Sequence, residues 1–192
     1  MPPASPTPPR RLPRRAALTA AAAALAALAG CSTAPPRPPL TLAPSVDVEK
    51  MMGDWYVIGC IPTFLERGAH DAVETYRRQA DGRIDTTFTY RVGGHDQPLK
   101  TLKSIAKVLP GQGNAVWTVQ FIWPIEADYR VMRVDPDYRT VVIGREKRDY
   151  VWIMARTPTI PDAQYQALVD FVGREGYDLK AMVKVPHRPA AR

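Results

Sequence analysis

At 192 residues the chain has the length of one domain with extensions, and its 45% hydrophobic content is ordinary for a globular protein with a core. The net charge of +7 overstates its basicity: four of those charges are Arg10, Arg11, Arg14 and Arg15, all ahead of the first acidic residue, Asp47, and without them the balance is +3. A balance of that size gives no support for nucleic acid as a partner, which calls for a clustered basic face. Eleven of the 20 prolines fall in residues 1–44, so the composition shifts near Val46.

The chain begins with a basic stretch, Arg10–Arg15, followed by 14 mostly alanine and leucine residues, 16–29. A bilayer-spanning helix needs about 20 apolar residues; this run has the length of a signal-peptide core. It ends in Leu28-Ala29-Gly30-Cys31, which resembles the lipobox of bacterial lipoproteins. The resemblance implies cleavage after residue 30 and lipidation of Cys31. Ser32 is not acidic, which under enterobacterial sorting implies the outer membrane, with the domain facing the periplasm. The arginine pairs leave the general and the twin-arginine export routes both open. Residues 31–46 are expected to be the lipidated cysteine and a proline-rich, extended tether of about 3 Å per residue. With Cys31 acylated, Cys60 has no partner in the chain, and is either a buried thiol acting as a small hydrophobe or a reactive group.

From Met52 the pattern is β. The expected strands are 55–61, 72–78, 83–92, 101–109, 115–123, 129–134, 140–144 and 150–156. The third alternates most clearly, with Ile84, Thr86, Phe88, Tyr90 and Val92 on one face. Turn signals at Asp81-Gly82, Gly93-Gly94, 110–113, 135–137 and 145–148 separate the runs. A helix follows: Thr159-Ile160-Pro161-Asp162 has the look of a capping box, Ala163, Ala167, Leu168, Phe171 and Val172 form an apolar stripe, and Gly176 is the expected stop. Residues 177–186 are expected to add a short strand, and 187–192 to be a disordered tail. Eight up-and-down strands favour closure, which removes sheet edges, although a sandwich would alternate similarly.

Gly53-Asp54-Trp55 at the first strand, Asp135-Pro136-Asp137-Tyr138 between late strands and Arg156 after the last strand stand in the order and spacing of the three lipocalin motifs. Glu66-Arg67-Gly68 and the run Arg148-Asp149-Tyr150 to Thr159-Ile160 resemble the bacterial lipocalin and apolipoprotein D branch, over residues 48–186. The resemblance implies a mainly β fold: an eight-stranded antiparallel up-and-down barrel with one C-terminal α-helix packed outside, occupying residues 47–186. It implies structural roles for Gly53, Trp55, Asp137, Tyr138 and Arg156, with Trp55 closing the barrel base and Arg156 lying across its ring. The departures are Cys60-Ile61-Pro62-Thr63 and Trp123-Pro124-Ile125-Glu126, near the expected mouth.

The resemblance further implies a membrane-anchored carrier or store of a small lipophilic ligand, of the fatty acid or lysophospholipid type, held inside the barrel. An eight-stranded barrel has room for one small ligand. Strand parity and aromatic content nominate Val57, Gly59, Ile61, Phe88, Tyr90, Val119, Phe121, Tyr129, Val131, Trp152 and Met154 as its wall, with Arg130 or Lys107 as partners for an acidic headgroup. No cofactor, metal ligand set or catalytic residue is expected. His70, His95 and His187 form no triad in the sequence, and Cys60 with His70 is the one pair an enzyme reading can nominate. An enzyme acting on an envelope lipid and a structural protein with a filled barrel are the competing readings, and a homodimer is an open expectation.

Overall fold

The computed structural model describes residues 37–188. The signal peptide, Cys31 and the last four residues lie outside the described residues. A one-turn helix, α1 (Val48–Met51), precedes eight strands: β1 (Gly53–Ile61), β2 (Ala69–Arg78), β3 (Ile84–Val92), β4 (Lys100–Val108), β5 (Val116–Ile122), β6 (Ile125–Val134), β7 (Thr140–Gly144) and β8 (Val151–Ala155). The outer helix α2 (Asp162–Arg174) and a two-residue strand, β9 (Val183–Lys184), complete the chain. Each strand from β1 to β8 pairs antiparallel with the next, and β8 pairs with β1, so the sheet closes into a barrel. β1 leaves β2 after Tyr56, and β9 takes up the vacated edge opposite Gly59 and Cys60.

Two apolar layers hold this shape. The inner one fills the barrel and includes Trp55, Val57, Ile84, Phe88, Trp117, Val131 and Ile143. The outer one lies between α2 and the barrel wall, where Tyr165, Leu168 and Val172 meet Ile58, Ile61, Val142 and Ile153. β7 and β8 are covered on both sides, which is why they read as unbroken apolar runs while β3 alternates.

A β-bulge between Val57 and Gly59 breaks the parity of β1. Trp55 and Val57 point inward, Ile58 turns outward, and beyond the bulge Cys60 points inward while Ile61 packs outward. Gly59 faces Tyr165 of α2, whose hydroxyl stands 2.6 Å from where a Cβ would be. The expectation that Gly59 and Ile61 share the inner face of Trp55 is therefore corrected: the extra residue reverses the alternation.

The helix also differs from its sequence reading. Its buried residues are Tyr165, Leu168 and Val172, whereas Ala163 and Ala167 are exposed. The larger side chains turn the helix so that Tyr165 fills the space left by Gly59. No capping box forms, because Asp162 is already the first helical residue and the cap, Pro161, has no donor or acceptor side chain. The C-terminus ends as expected at Gly176 (φ +86°), with Tyr177 N–H donating to Val172 O and Gly176 N–H to Gly173 O, the paired bonds of a Schellman motif.

Trp55 closes one end of the barrel. It is fully buried, and its Nε1 donates to Met51 O at 2.8 Å. The Arg156 guanidinium lies 3.7 Å from the ring centroid and donates to the carbonyls of Asp54, Lys50 and Met52 at 2.6–2.9 Å. Gly53 makes room for it with a φ of +90°, a conformation open to glycine at little cost. Tyr138 accepts the Asp47 N–H at 2.7 Å, tying the β6–β7 turn to α1. The side chain that organises that turn is Asp135, which accepts from the Arg139 and Thr140 amides; the expected Asp137 is exposed.

Both ends of the domain extend beyond the expected bounds. Leu40, Ala43 and Val46 are buried, and Ala43 N–H donates to Val131 O, so residues 40–46 belong to the folded body and not to an extended tether. Their three apolar side chains recur among the prolines at a spacing that reaches the barrel. At the other end His187 Nε2 lies 2.8 Å from Val57 O, and Arg188 N–H donates to Asp71.

Candidate functional site

Above the Trp55 base the barrel is hollow. A cavity of about 370 Å³ lies inside, walled by strand residues and, at the far end, by Thr63–Glu66 of the β1–β2 loop and by Arg145 and Tyr150 of the β7–β8 connection. Seven nominated residues line it: Val57, Phe88, Val119, Phe121, Tyr129, Trp152 and Met154. Tyr90 and Val131 belong to the inner core without reaching the cavity wall, and Gly59 and Ile61 stand outside for the reason given. Phe64, Phe121, Trp123 and Ile125 form an exposed apolar rim around the mouth; Phe64 and Trp123 are 74% and 82% exposed.

The sequence reading missed much of the polar lining and two large rings. Trp117 has the parity of Val119 and Phe121 on β5, so alternation was a usable signal for it, whereas Tyr76 shares its parity on β2 with Glu74, and that polar neighbour hides the face. Rings of Trp117, Tyr129 and Trp152 stack in a row along one wall, with centroids 5.7 and 6.4 Å apart and planes within 24°. The Tyr76 and Tyr129 hydroxyls hydrogen-bond to each other, and burial raises both phenols above their ordinary range.

Glu74 is the least predictable wall residue. A glutamate in a half-polar strand reads as solvent-facing, but its register opposite Trp55 and Phe88 turns it inward. It is half-buried, it lines the cavity, and its carboxyl has no hydrogen-bond or ion-pair partner among the described residues. Burial, and secondarily the charge of Glu66, push it up to about 8. Glu66 is differently placed: it accepts from Trp152 Nε1 at 2.9 Å and from Thr63 N–H at 2.7 Å, drawing the β1–β2 loop down onto the wall.

The cations nominated for an acidic headgroup do not reach the cavity. Lys107 pairs with Glu126 at 3.3 Å, and Arg130 pairs with Asp128 at 2.9 Å and Glu146 at 3.1 Å. Arg145 does line the mouth, held 3.3 Å from Asp149 and over the Tyr150 ring. Cys60 is a buried free thiol, and burial pushes it up to about 12, so the thiolate needed by a Cys60–His70 pair does not form near neutrality.

A Lipocalin-like domain model matches residues 46–187. The chain belongs to the lipocalin family. Among curated proteins, this lipocalin is 31% identical over 176 residues to outer membrane lipoprotein Blc of Citrobacter freundii, covering 92% of the chain and 97% of the relative. It is 32% identical over 149 residues to temperature-induced lipocalin-1 of Arabidopsis thaliana, covering 73% and 79%. Among solved structures, insecticyanin from the tobacco hornworm Manduca sexta superposes with a TM-score of 0.62 at 11% identity, over 81% of this lipocalin and 88% of that chain, a likeness of fold.

Proposed function

We propose that this lipocalin binds a small lipophilic ligand of the fatty acid or lysophospholipid type inside its barrel, and carries or stores it in the cell envelope. The observation that supports this reading is the cavity: a barrel filled by its own side chains would leave no volume of about 370 Å³ walled by Phe88, Val119, Tyr129, Trp152 and Met154. An apolar hollow with a few convergent polar groups is the usual form of a site for a small organic ligand. The second part of the proposal is the anchor. Cys31, at the end of a signal-like segment, is the acylated residue, and two or more chains make membrane attachment stable. The relative from Citrobacter freundii is named an outer membrane lipoprotein and is matched over 97% of its length, which supports the same placement here.

Native mass spectrometry with lipid extraction, combined with a fluorescence titration, tests the ligand. Trp117 and Trp152 stand in the wall and report occupancy directly. Saturable one-to-one binding of a fatty acid or a lysophospholipid is expected, weakened at least tenfold by Val119→Trp, which fills the cavity, and by Phe121→Ala to a smaller degree. Failure of all common amphiphiles to bind would overturn the proposal. The same spectrum reads whether the chain is a homodimer. Cys31→Ala is expected to move the protein from the membrane to the soluble fraction.

A further inference from the structure

We propose that the cavity selects amphiphiles that carry a cationic amine, and that the ammonium group is held between Glu66 and Glu74 against the faces of Tyr129 and Trp152. The inference rests on the binding role proposed above and narrows it: it favours ligands with a cationic amine and disfavours the fatty carboxylates included there.

Three features of the wall carry it. First, Glu74 is a half-buried carboxyl that lines the cavity and has no partner among the described residues. A buried carboxyl without a partner is costly in its charged form, and a cation arriving in the cavity would supply the missing countercharge. Second, Glu66 closes on the same space. Its oxygens accept two N–H groups, from Trp152 and Thr63, and it has no cation within ion-pair distance among the described residues. Third, the Tyr129 and Trp152 rings both line the cavity, with centroids 6.4 Å apart and planes within 23°. Ring faces attract ammonium groups, primary or quaternary.

The remaining charges at the cavity are already matched. Arg145 is paired with Asp149 at 3.3 Å and lies over the Tyr150 ring, although its buried Nε has no hydrogen-bond partner, and Asp128 is paired with Arg130. The unmatched charge in the wall is therefore negative. A fatty carboxylate would place a like charge beside Glu66, whereas an alkylammonium, protonated at neutral pH with a pKa of about 10, would neutralise it.

Three probes of one chain length separate the possibilities: dodecylammonium, dodecanol and dodecanoate, each titrated into the purified protein at pH 7 below its micellar concentration. Dodecylammonium is expected to bind at least tenfold tighter than dodecanoate. Glu74→Gln and Glu66→Gln are each expected to narrow that ratio severalfold, with each variant's own dodecanol affinity as the internal reference and a thermal melt as the check that it stays folded. Dodecanoate binding as tightly as the amine, or a ratio unmoved in both variants, would overturn the inference while the binding role stands. If none of the three binds, the binding role fails with it.

Discussion

Arg156 shows how much one side chain can organise. It covers Trp55 and ties together the carbonyls of three residues around α1. Arg156→Ala removes a cation–π contact and several charge-assisted bonds at once, for an expected loss of about 2–4 kcal/mol. Arg156→Lys keeps the charge but not the planar fork, and should recover less than half of that; denaturant titration measures both. Glu74 makes a prediction of opposite character. Its folded value of about 8 lies above that of a glutamate in the unfolded chain. The folded state therefore holds a proton that the unfolded state releases, so the stability from Glu74 is complete at low pH and is lost as pH rises to about 8. The charged and titratable groups set against it are Glu66, Tyr76 and Tyr129. In ligand-free protein the slope from this group is at most about 1.4 kcal/mol per pH unit, and Glu74→Gln is expected to flatten it in melts between pH 5 and 8. Arg156 was legible in the sequence because its motif carries its role. Glu74 was not, because its inward turn follows from cross-strand register, which no single strand displays.

At the scale of elements, the bulge in β1 decides which residues belong to the site. Gly59 lies under the Tyr165 ring, with a would-be Cβ 2.6 Å from the hydroxyl and 2.9 Å from Cε2. Gly59→Ala should cost about 1–3 kcal/mol by overpacking, and most of that cost should vanish in a Tyr165→Leu background, as a double-mutant cycle would read. Ligand affinity should stay unchanged, since this contact is on the outside of the barrel; a large loss of affinity with little loss of stability would return Gly59 to the cavity. β3 could be read from its alternation because nothing interrupts it. β1 could not be read past Val57, because one inserted residue exchanges the two faces. The start of β6 was hidden for another reason: Ile125-Glu126-Ala127-Asp128 alternates, but four residues directly behind Trp123-Pro124 are too short a pattern to separate from the turn, and Ile125, Ala127 and Asp128 pair with β5 as the strand leaves the mouth.

For the whole molecule, strand number, order and the outer helix were legible because each strand is short, locally patterned and bounded by turn residues. The hollow itself was not, since its volume depends on how eight strands tilt and stagger around it. The hollow is nonetheless closed at one end, and that has a kinetic corollary. A tube open at both ends could take cargo at one face and deliver it at the other. With Trp55 and Arg156 sealing the base, loading and unloading share one doorway, and whichever part of the cargo enters first leaves last. The direction of any traffic is then set outside the protein, by the chemical potential of the cargo wherever that doorway happens to open.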